Sequence, residues 1–347
     1  KQHFLKFLSV YNIIFLIFTE LSCYTPDGVA GSCKSIYNCK PLLAVVNKKN
    51  RTFTEVEFLR KSQCGFEGTT PVFFEDGFYF VKRFLLIFFF YYIPGGAVTD
   101  IDWYPWLVLI DYHKDGVDKH LCGGVLISGR YVLTAAHCVI GIILQHGTPR
   151  IVRLGEFDVS RDGPDCVADY SGGLDCTDDV LNIPIESITP HPEYEPDSPW
   201  RRNDIALIRL KNLAPYTDFI KPICLPQVDL TLNFTSNDYL VVAGWGLNTT
   251  HSSSDVKVHV VLPFVMAYDA PGRKIQLWDK QVCAGGDKGK DSCKGDFGGP
   301  LMFEHTRFYE AIGVVSFGPT LCGTDGVPGI YTKVFDYKDW ILSNIKP

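Results

Sequence analysis

The amino-acid sequence predicts an all-β protein of antiparallel strands that ends in a helix and begins with a small disulfide-rich module. From about Trp103 onward, short apolar segments alternate with turn residues at close spacing, which is typical of an antiparallel sandwich or barrel. Near the carboxyl end the period changes, because apolar residues recur at helical spacing, namely Tyr337, Trp340, Ile341 and Ile345. The predicted strands are Leu107–Ile110, Gly124–Ile127, Tyr131–Ala135, Ile151–Phe157, Asp204–Leu210, Tyr239–Gly244, Val256–Leu262, Phe308–Phe317 and Gly329–Val334.

Composition indicates a secreted globular protein with one large domain and one small one. The 347 residues include 33 Lys and Arg against 39 Asp and Glu, a net charge of −6 that excludes a basic surface for nucleic acid or anionic membranes. A hydrophobic content of 46% is enough to bury a large core, which excludes general disorder. Twelve cysteines are too many for an ordinary protein of the reducing cytosol, so we expect an extracellular location.

The first segment is expected to direct the chain to the secretory pathway. Residues 1–6 are basic, and residues 7–18 form an apolar run of the length of a signal-peptide core, too short to span a membrane. We therefore interpret residues 1–22 as part of a signal peptide rather than as a buried helix. Three sequons predict N-glycosylation, at Asn50, Asn233 and Asn248.

Residues 23–72 form a separate module that depends on disulfides. They contain Cys23, Cys33, Cys39 and Cys64, are rich in turn residues, and show little hydrophobic periodicity. A segment of this size rarely folds on a hydrophobic core alone. Four cysteines allow three connectivities, which the spacing does not distinguish.

Residues 73–92 differ from the rest of the chain, because they hold eight of its 24 phenylalanines. The uncharged run 84–93 is too short to cross a bilayer. As an exposed linker it would be prone to aggregation. We interpret this segment as translated intron sequence rather than as a functional linker.

Three motifs carry chemistry. Leu133–Cys138 (LTAAHC) follows a strand, Arg202–Leu210 (RNDIALIRL) opens another, and Asp291–Pro300 (DSCKGDFGGP) is a glycine-rich turn before a third. A single His or Asp at a strand edge is more often structural than catalytic. In this order and with these flanks, however, residues 93–347 resemble the chymotrypsin/trypsin family of serine proteases. Further matching segments are Trp103–Trp106, Pro222–Pro226, Gly244–Gly246 and Pro328–Thr332.

The resemblance implies a chymotrypsin-like double antiparallel β-barrel with assigned catalytic positions. His137 would be the general base, and Asp204 would hold its imidazole in the required tautomer. The backbone N–H groups of Gly295 and Phe297 would form the oxyanion hole. The substrate pocket would have Asp291 at its floor, so that it accepts Arg or Lys as trypsin does. The other implied substrate-binding residues are Ser316, Gly318 and Gly329.

Phe297 departs from the family pattern at the position of the nucleophilic serine. A phenyl ring has neither a lone pair nor a proton to transfer, so no acyl-enzyme can form. Loss of this serine costs on the order of a millionfold in turnover. Ser292 lies five residues away in the sequence, on the pocket wall in the family pattern, and cannot replace it. The sequence as it stands predicts a non-catalytic homologue.

The small module resembles the clip domain that precedes such proteases in arthropod immune and developmental cascades. The segment Ser62–Gly65 is typical of it, but the expected adjacent cysteine pair at its end is missing, so the domain is incomplete. Family pairing implies a Cys33–Cys64 bond, which leaves Cys23 and Cys39 to pair with each other or to remain free.

The family pattern also implies disulfides and an activation site in the larger domain. Ile93 would be the new amino terminus after cleavage and Asp296 would receive its ammonium, although Tyr92 precedes Ile93 where a trypsin-like activator needs Arg or Lys. Cys224 and Cys283 lack their usual partners. The implied disulfides are Cys122–Cys138, Cys166–Cys176 and Cys293–Cys322.

The acidic loop at Glu156 and Asp158 matches a loop that binds calcium in some relatives. The alternative, a solvated acidic loop without a metal, is favoured because oxygen-only ligand sets leave weak sequence patterns. The sequence predicts no other metal site and no cofactor.

Three functions remain open at this stage. The first is a non-catalytic clip-domain homologue that serves as a binding or cofactor protein in a melanisation or Toll-type cascade. The second is an active trypsin-like endopeptidase in which Phe297 is a single-nucleotide sequence error, and the third is a decaying paralogue. The expected partners are protein substrates or cascade proteases, including prophenoloxidase and serpins, with no nucleic acid and no membrane.

Overall fold

The structure is a computed structural model of the chain. It describes residues 96–168, 173–246, 254–266, 278–289, 292, 295–305, 308–319 and 323–346, together with the backbone of five short strands before residue 75. The chain divides into two compact units, Lys1–Tyr92 and Ile93–Pro347.

The amino-terminal unit contains short antiparallel strands. β1 pairs with β2, and β5 lies between β3 and β4 in a three-stranded sheet. Cys33 lies on β3 and Cys64 on β4, but the predicted bond between them lies outside the described side chains. The strands are β1 Cys23–Tyr24, β2 Ala30–Gly31, β3 Cys33–Ser35, β4 Gln63–Glu67 and β5 Thr70–Phe74.

The carboxy-terminal unit is built almost entirely from strands, fifteen of which lie in its described part. They are β6 Ala97–Val98, β7 Leu107–Lys114, β8 Val117–Ser128, β9 Tyr131–Thr134, β10 Thr148–Leu154, β11 Cys166–Ala168, β12 Leu174–Cys176, β13 Leu181–Pro190, β14 Ala206–Leu210, β15 Tyr239–Gly244, β16 Val258–Val265, β17 Gln281–Gly285, β18 Pro300–Glu304, β19 Tyr309–Phe317 and β20 Pro328–Lys333.

Six of these strands close the first barrel in the order β10–β13–β14–β9–β8–β7, with every pairing antiparallel. Closure removes the open sheet edges that would otherwise invite aggregation. Its interior is apolar, since Ile110, Val125, Leu133 and Ile208 are fully buried. β11 and β12 form a separate hairpin on the loop that follows β10.

The second barrel closes in the order β15–β18–β19–β20–β17–β16, with β16 returning to pair with β15. β6 adds to the outer edge of β16. Leu240, Leu262, Leu301 and Tyr331 are fully buried in its core. The two closed antiparallel barrels confirm the predicted fold class.

The chain ends in the predicted helix, α1 Lys338–Asn344, which follows a 3-10 turn over Val334–Tyr337. The buried hydrophobic side chains form two clusters, a larger one that includes Ile110 and Leu133 and a smaller one that includes Leu262 and Leu301. Tyr337 and Ile341 are buried in the larger cluster, as the helical spacing predicts. In the part of the chain that the structure describes, no helix is long and apolar enough to cross a membrane.

Several strands differ from the sequence-based expectation. The predicted strand Ile151–Phe157 ends at Leu154, because Gly155 turns the chain with a φ of +73°. β13 was not predicted, since Pro184 and Pro190 and its alternating polar residues weaken the strand pattern. β13 forms because it pairs with β10 and β14 when the first barrel closes, and these contacts cannot be predicted from the local sequence. β17 and β18 were also absent from the predicted set.

Truncation on the two faces of α1 should have different effects. Ile341→Ala should lower the free energy of unfolding by about 2–4 kcal/mol, because it removes a fully buried side chain. Leu342→Ala should change it by less than about 0.5 kcal/mol, because Leu342 is 60% exposed. Urea denaturation followed by circular dichroism compares the two variants, and equal effects would contradict the described packing of the helix.

Candidate active site

His137 and Asp204 meet at the ends of two paired strands of the first barrel. His137 lies in the 3-10 turn Ala136–Cys138 that follows β9, and Asp204 comes just before β14. Thr134 of β9 pairs with Ala206 of β14, so the barrel register itself brings the two side chains together. The His137 Nδ1 atom lies 2.7 Å from Asp204 Oδ2, and the His137 backbone N–H donates to Oδ1 at 2.8 Å.

Asp204 is fully buried and is held by donors from both barrels. The Ser316 hydroxyl of β19 donates to Oδ2 at 2.5 Å, and the Thr332 hydroxyl of β20 donates to the Asp204 carbonyl at 2.8 Å. Burial alone would raise the pKa of Asp204, but the charge and hydrogen bonds of His137 and the Ser316 bond outweigh it and lower the pKa. The carboxylate therefore remains ionised and orients the imidazole.

Phe297 occupies the seam between the barrels, beside His137. Its ring centroid lies 5.2 Å from that of His137 in an edge-to-face arrangement, and the ring packs against both hydrophobic clusters. Its backbone carbonyl accepts from the Gly123 N–H at 2.8 Å. The next residue, Gly298, has a φ of +79°, and a Cβ there would lie 2.2 Å from the Thr134 hydroxyl oxygen. The turn at residues 295–298 therefore has a tight backbone conformation, and it places the phenyl ring of Phe297 next to His137.

The same turn carries the predicted oxyanion-hole and activation residues. Gly295 has a φ of +106°, and a Cβ at this position would lie 2.8 Å from the Gly246 Cα, so only glycine fits. The Asp296 carboxylate accepts from the Gly246 N–H at 2.9 Å. The structure thus places Gly295, Asp296 and Phe297 together on one turn, and their roles stay predictions.

The predicted substrate-binding residues are partly described. Gly318 and Gly329 face each other, since a Cβ on Gly318 would be 3.8 Å from the Gly329 Cα. Ser316 directs its hydroxyl at Asp204, while its backbone carbonyl accepts from Arg201 Nη1 at 2.7 Å. No pattern in the sequence predicts this contact of Arg201. Ser292 is buried and its hydroxyl lies 2.9 Å from the Tyr331 hydroxyl, so it is not available to His137.

Some predicted residues lie outside the described part of the chain. Of the three predicted glycosylation sites, Asn233 is described and is exposed after the 3-10 turn Leu230–Leu232. The site residues that the structure does not describe are Ile93, Asp291, Cys293, Cys322, Asn50 and Asn248.

The described cysteines are of two kinds. Cys122–Cys138 joins β8 to the His137 turn, and Cys166–Cys176 joins β11 to β12. Cys122, His137 and Cys138 form the one described group of side chains close enough to share a metal ion, but the disulfide removes both thiolates. Cys224 and Cys283 are free thiols, as the lack of family partners implies.

The two free thiols should react very differently in the folded protein. Cys224 is exposed, whereas Cys283 is buried and its burial raises the pKa of the thiol to about 12. We expect iodoacetamide to modify Cys224 in the native protein and Cys283 only after denaturation. Peptide mass spectrometry measures both, and native modification of Cys283 at the rate of Cys224 would contradict the described burial.

The acidic loop after β10 is neither solvated nor free to bind calcium. Glu156 and Asp158 are only 3% and 7% exposed, so the expectation of a solvated loop is wrong. Glu156 pairs with Arg153 at 2.8 Å and accepts the Phe157 N–H, and Asp158 pairs with Arg161 at 3.1 Å. The residues present do not fit a calcium ion, because their oxygens are already held by arginines and backbone donors.

A buried lysine adds a further cation to this loop. Lys257 is 4% exposed and donates to the Ile101 carbonyl at 3.4 Å. Burial lowers the pKa of Lys257 to about 8, against the opposing fields of Asp102, Glu156 and Asp165. Protein side chains thus supply the positive charge that a metal would otherwise bring.

Calcium should therefore have no effect on stability. Addition of millimolar calcium chloride, or of excess EDTA, should move the thermal midpoint by less than about 1 °C, because the carboxylate oxygens of Glu156 and Asp158 already have protein partners. Differential scanning calorimetry with magnesium chloride as an ionic-strength control tests this. A calcium-specific rise in the midpoint would show that the loop exchanges its arginine partners for the metal.

Comparison of the sequence with known protein families and with known proteins agrees with the fold and the site described above. The profile of the trypsin family matches residues 93–341, which is most of the chain. The chain belongs to the trypsin family. Its amino-terminal module matches the regulatory CLIP domain of proteinases over residues 23–73. The resemblance drawn from the motifs is thereby confirmed.

The relatives of this clip-domain chain are similar over nearly their full length. The phenoloxidase-activating enzyme of Bombyx mori is 41% identical over 94% of this chain and 95% of that protein. Phenoloxidase-activating factor 3 of Holotrichia diomphalia is 39% identical over 99% of both. Melanization protease 1 of Drosophila melanogaster is 35% identical over 93% of both.

Proposed function

We propose that this clip-domain chain is a secreted, non-catalytic member of its family that acts as a binding or cofactor protein in an extracellular proteolytic cascade. The observation that carries the proposal is the Phe297 ring beside His137. Acyl transfer needs an oxygen or sulfur nucleophile within hydrogen-bonding reach of the base. At this turn the base meets a ring edge instead.

Neighbouring hydroxyls do not restore the missing group. The Ser316 hydroxyl donates to Asp204, and the buried Ser292 hydroxyl lies 2.9 Å from the Tyr331 hydroxyl. His137 therefore retains its orientation without a proton to accept. The fold, the His137–Asp204 pair and the barrel seam can still serve recognition, because binding requires shape and charge rather than turnover.

The names of the relatives support the kind of cascade. The matched proteins include phenoloxidase-activating proteins and a melanisation protease, so we infer a melanisation cascade for this chain as well. Cascade proteases, prophenoloxidase and serpins are the partner classes that follow. The two described disulfides agree with an oxidising, extracellular compartment.

A second candidate, an active endopeptidase that cleaves after Arg or Lys, is favoured by one observation. The bonds from His137 and Ser316 to Asp204 are all formed, as catalysis would require. This candidate needs a serine at position 297. Sequencing of the transcript across codon 297 separates the two candidates directly.

The catalytic test uses the full chain with a controlled activation site. Residues 88–92 are replaced by Asp-Asp-Asp-Asp-Lys, so that enteropeptidase cuts before Ile93. With Phe297 in place we expect hydrolysis of Arg and Lys ester and amide substrates no faster than with His137→Ala. Phe297→Ser in the same background should raise turnover by up to about a millionfold.

Each outcome has a clear meaning. Turnover by the Phe297 chain above the His137→Ala control would overturn the non-catalytic proposal. Recovery in the Phe297→Ser variant would show that only the nucleophile is missing. An inactive serine variant that folds normally would place a second defect in the pocket or in the region of Cys283.

A further inference from the structure

The loop before β15 holds apolar side chains in water beside one of the predicted glycosylation sites. We call it the sequon loop and define it as residues 227–238. Leu232 is 79% exposed, more than any other large hydrophobic side chain in the described part of the chain, and Val228 is also exposed. Asn233 follows Leu232 directly and is exposed as well. The loop has no role in the proposed function.

A buried ion pair fixes the first half of the sequon loop. Asp229 caps the 3-10 turn Leu230–Leu232, because its Oδ1 atom accepts from the Thr231 N–H at 3.0 Å. Its Oδ2 atom lies 3.1 Å from Lys333 Nζ of β20, and both side chains are about nine-tenths buried. Burial would raise the pKa of Asp229, but the bonds from Thr231 and Lys333 outweigh it and lower the pKa. The turn that carries Leu232 is therefore held to the second barrel.

An aromatic anchor fixes the second half of the sequon loop. Phe234 is buried, and its ring centroid lies 5.4 Å from that of Phe264 and 5.0 Å from that of Phe303. Phe234 is the middle residue of the sequon. The two residues that flank it and define the sequon, Asn233 and Thr235, are both exposed. The packing of the middle residue therefore leaves both functional residues of the sequon at the surface.

The hydrogen bonds around the sequon leave the side-chain amide of Asn233 open. The Asn233 backbone N–H donates to the Leu230 carbonyl at 3.0 Å, but its side chain makes no hydrogen bond to any described residue. Thr235 keeps its hydroxyl at the surface, where it donates to Asp238 Oδ2 at 2.9 Å. The folded chain therefore has room for a bulky group on the Asn233 Nδ2 atom.

An attached sugar is a better occupant of this apolar surface than a second protein. Single exposed apolar side chains are common, but here two of them lie on one anchored loop within five positions of a sequon. A group attached at Asn233 starts one residue from Leu232, so its local concentration there is high without any further binding energy. A protein that docked on Leu232 would have to make room for the same group.

We propose that Asn233 carries an N-linked oligosaccharide whose first sugars cover Leu232 and Val228. In the linkage the Nδ2 atom forms a bond to C1 of an N-acetylglucosamine, the amide loses one proton, and the lipid diphosphate of the oligosaccharide donor is the leaving group. Pyranose rings have C–H faces that pack on apolar side chains, while their hydroxyl groups remain in water. This face of the second barrel is then covered, and protein partners bind elsewhere.

The first test measures whether the site is occupied. The full chain, secreted from cultured insect cells, should carry a glycan at Asn233 in peptide mass spectrometry. Thr235→Ala should abolish the modification and Thr235→Ser should retain it, because Asn-X-Ser is also an acceptor and a serine hydroxyl can keep the bond to Asp238. Asn237→Gln is the matched control, since Asn237 is exposed on the same loop but lies in no sequon, and it should leave occupancy unchanged.

The second test measures whether the glycan covers Leu232. Retention in hydrophobic interaction chromatography is compared for the glycosylated chain and for Asn233→Gln. Leu232→Gln should shorten retention clearly in the Asn233→Gln background and hardly at all in the glycosylated chain, because a covered side chain no longer contacts the column. Leu213→Gln is the matched control, since Leu213 is 68% exposed beside Gly129 of the first barrel, and it should shorten retention equally in both backgrounds.

The inference is overturned if the secreted chain carries no glycan at Asn233. It is also overturned if Leu232→Gln has the same effect in both backgrounds, which would show that the sugars extend into solvent. Neither result bears on the proposed non-catalytic role, because the measurements do not involve His137 or Phe297 and the expression system itself supplies the secretory pathway.

Discussion

The buried carboxylate of Asp204 is the interaction on which the architecture of the larger unit depends. An ionised group at zero exposure would cost several kcal/mol without partners. Its donors come from different elements: His137 follows β9 of the first barrel, and Ser316 belongs to β19 of the second. Thr332 of β20 binds its backbone carbonyl. Satisfying this one charge therefore requires both barrels to be formed and correctly joined.

This arrangement separates the geometry of a protease from its chemistry. The hydrogen bonds between His137 and Asp204 are formed, yet the side chain beside the imidazole is Phe297, whose ring has no proton to transfer. The ring is accommodated because it lies in the apolar seam, where it packs against both hydrophobic clusters. A larger side chain in a tight turn usually causes overpacking. Here the neighbouring Gly298 and Gly295 keep the backbone of the turn in place.

Charged side chains have different surroundings in two parts of the carboxy-terminal unit. In the loop after β10, Glu156 and Asp158 are buried but paired, with Arg153 and Arg161 taking the place of a metal. Around Trp278, the exposed Arg202 and the partly buried Lys280 lie 5.7 Å and 5.4 Å from the centroid of the ring. In the first arrangement each of the two carboxylates has an arginine partner, which offsets part of the cost of burying its charge.

The family and the candidate catalytic positions could be recognised from the sequence, because the residues around His137, Asp204 and Phe297 are contiguous motifs. The same holds for α1, whose burial follows from a local helical period. The strand pattern did not predict β13, where two prolines obscure it, and it also missed β17 and β18. Local sequence also showed that position 297 lacks a nucleophile, since that conclusion needs only the identity of one side chain.

Contacts between distant residues were decided by the tertiary structure alone. The bond from Arg201 to the Ser316 carbonyl joins residues 115 positions apart, and no periodicity in either segment indicates it. The burial of Glu156 likewise depends on tertiary packing, which charge composition does not reveal, although its partner Arg153 is only three positions away. Sequence patterns report which face of an element is apolar, whereas the partner of a polar group is determined only when the barrels close.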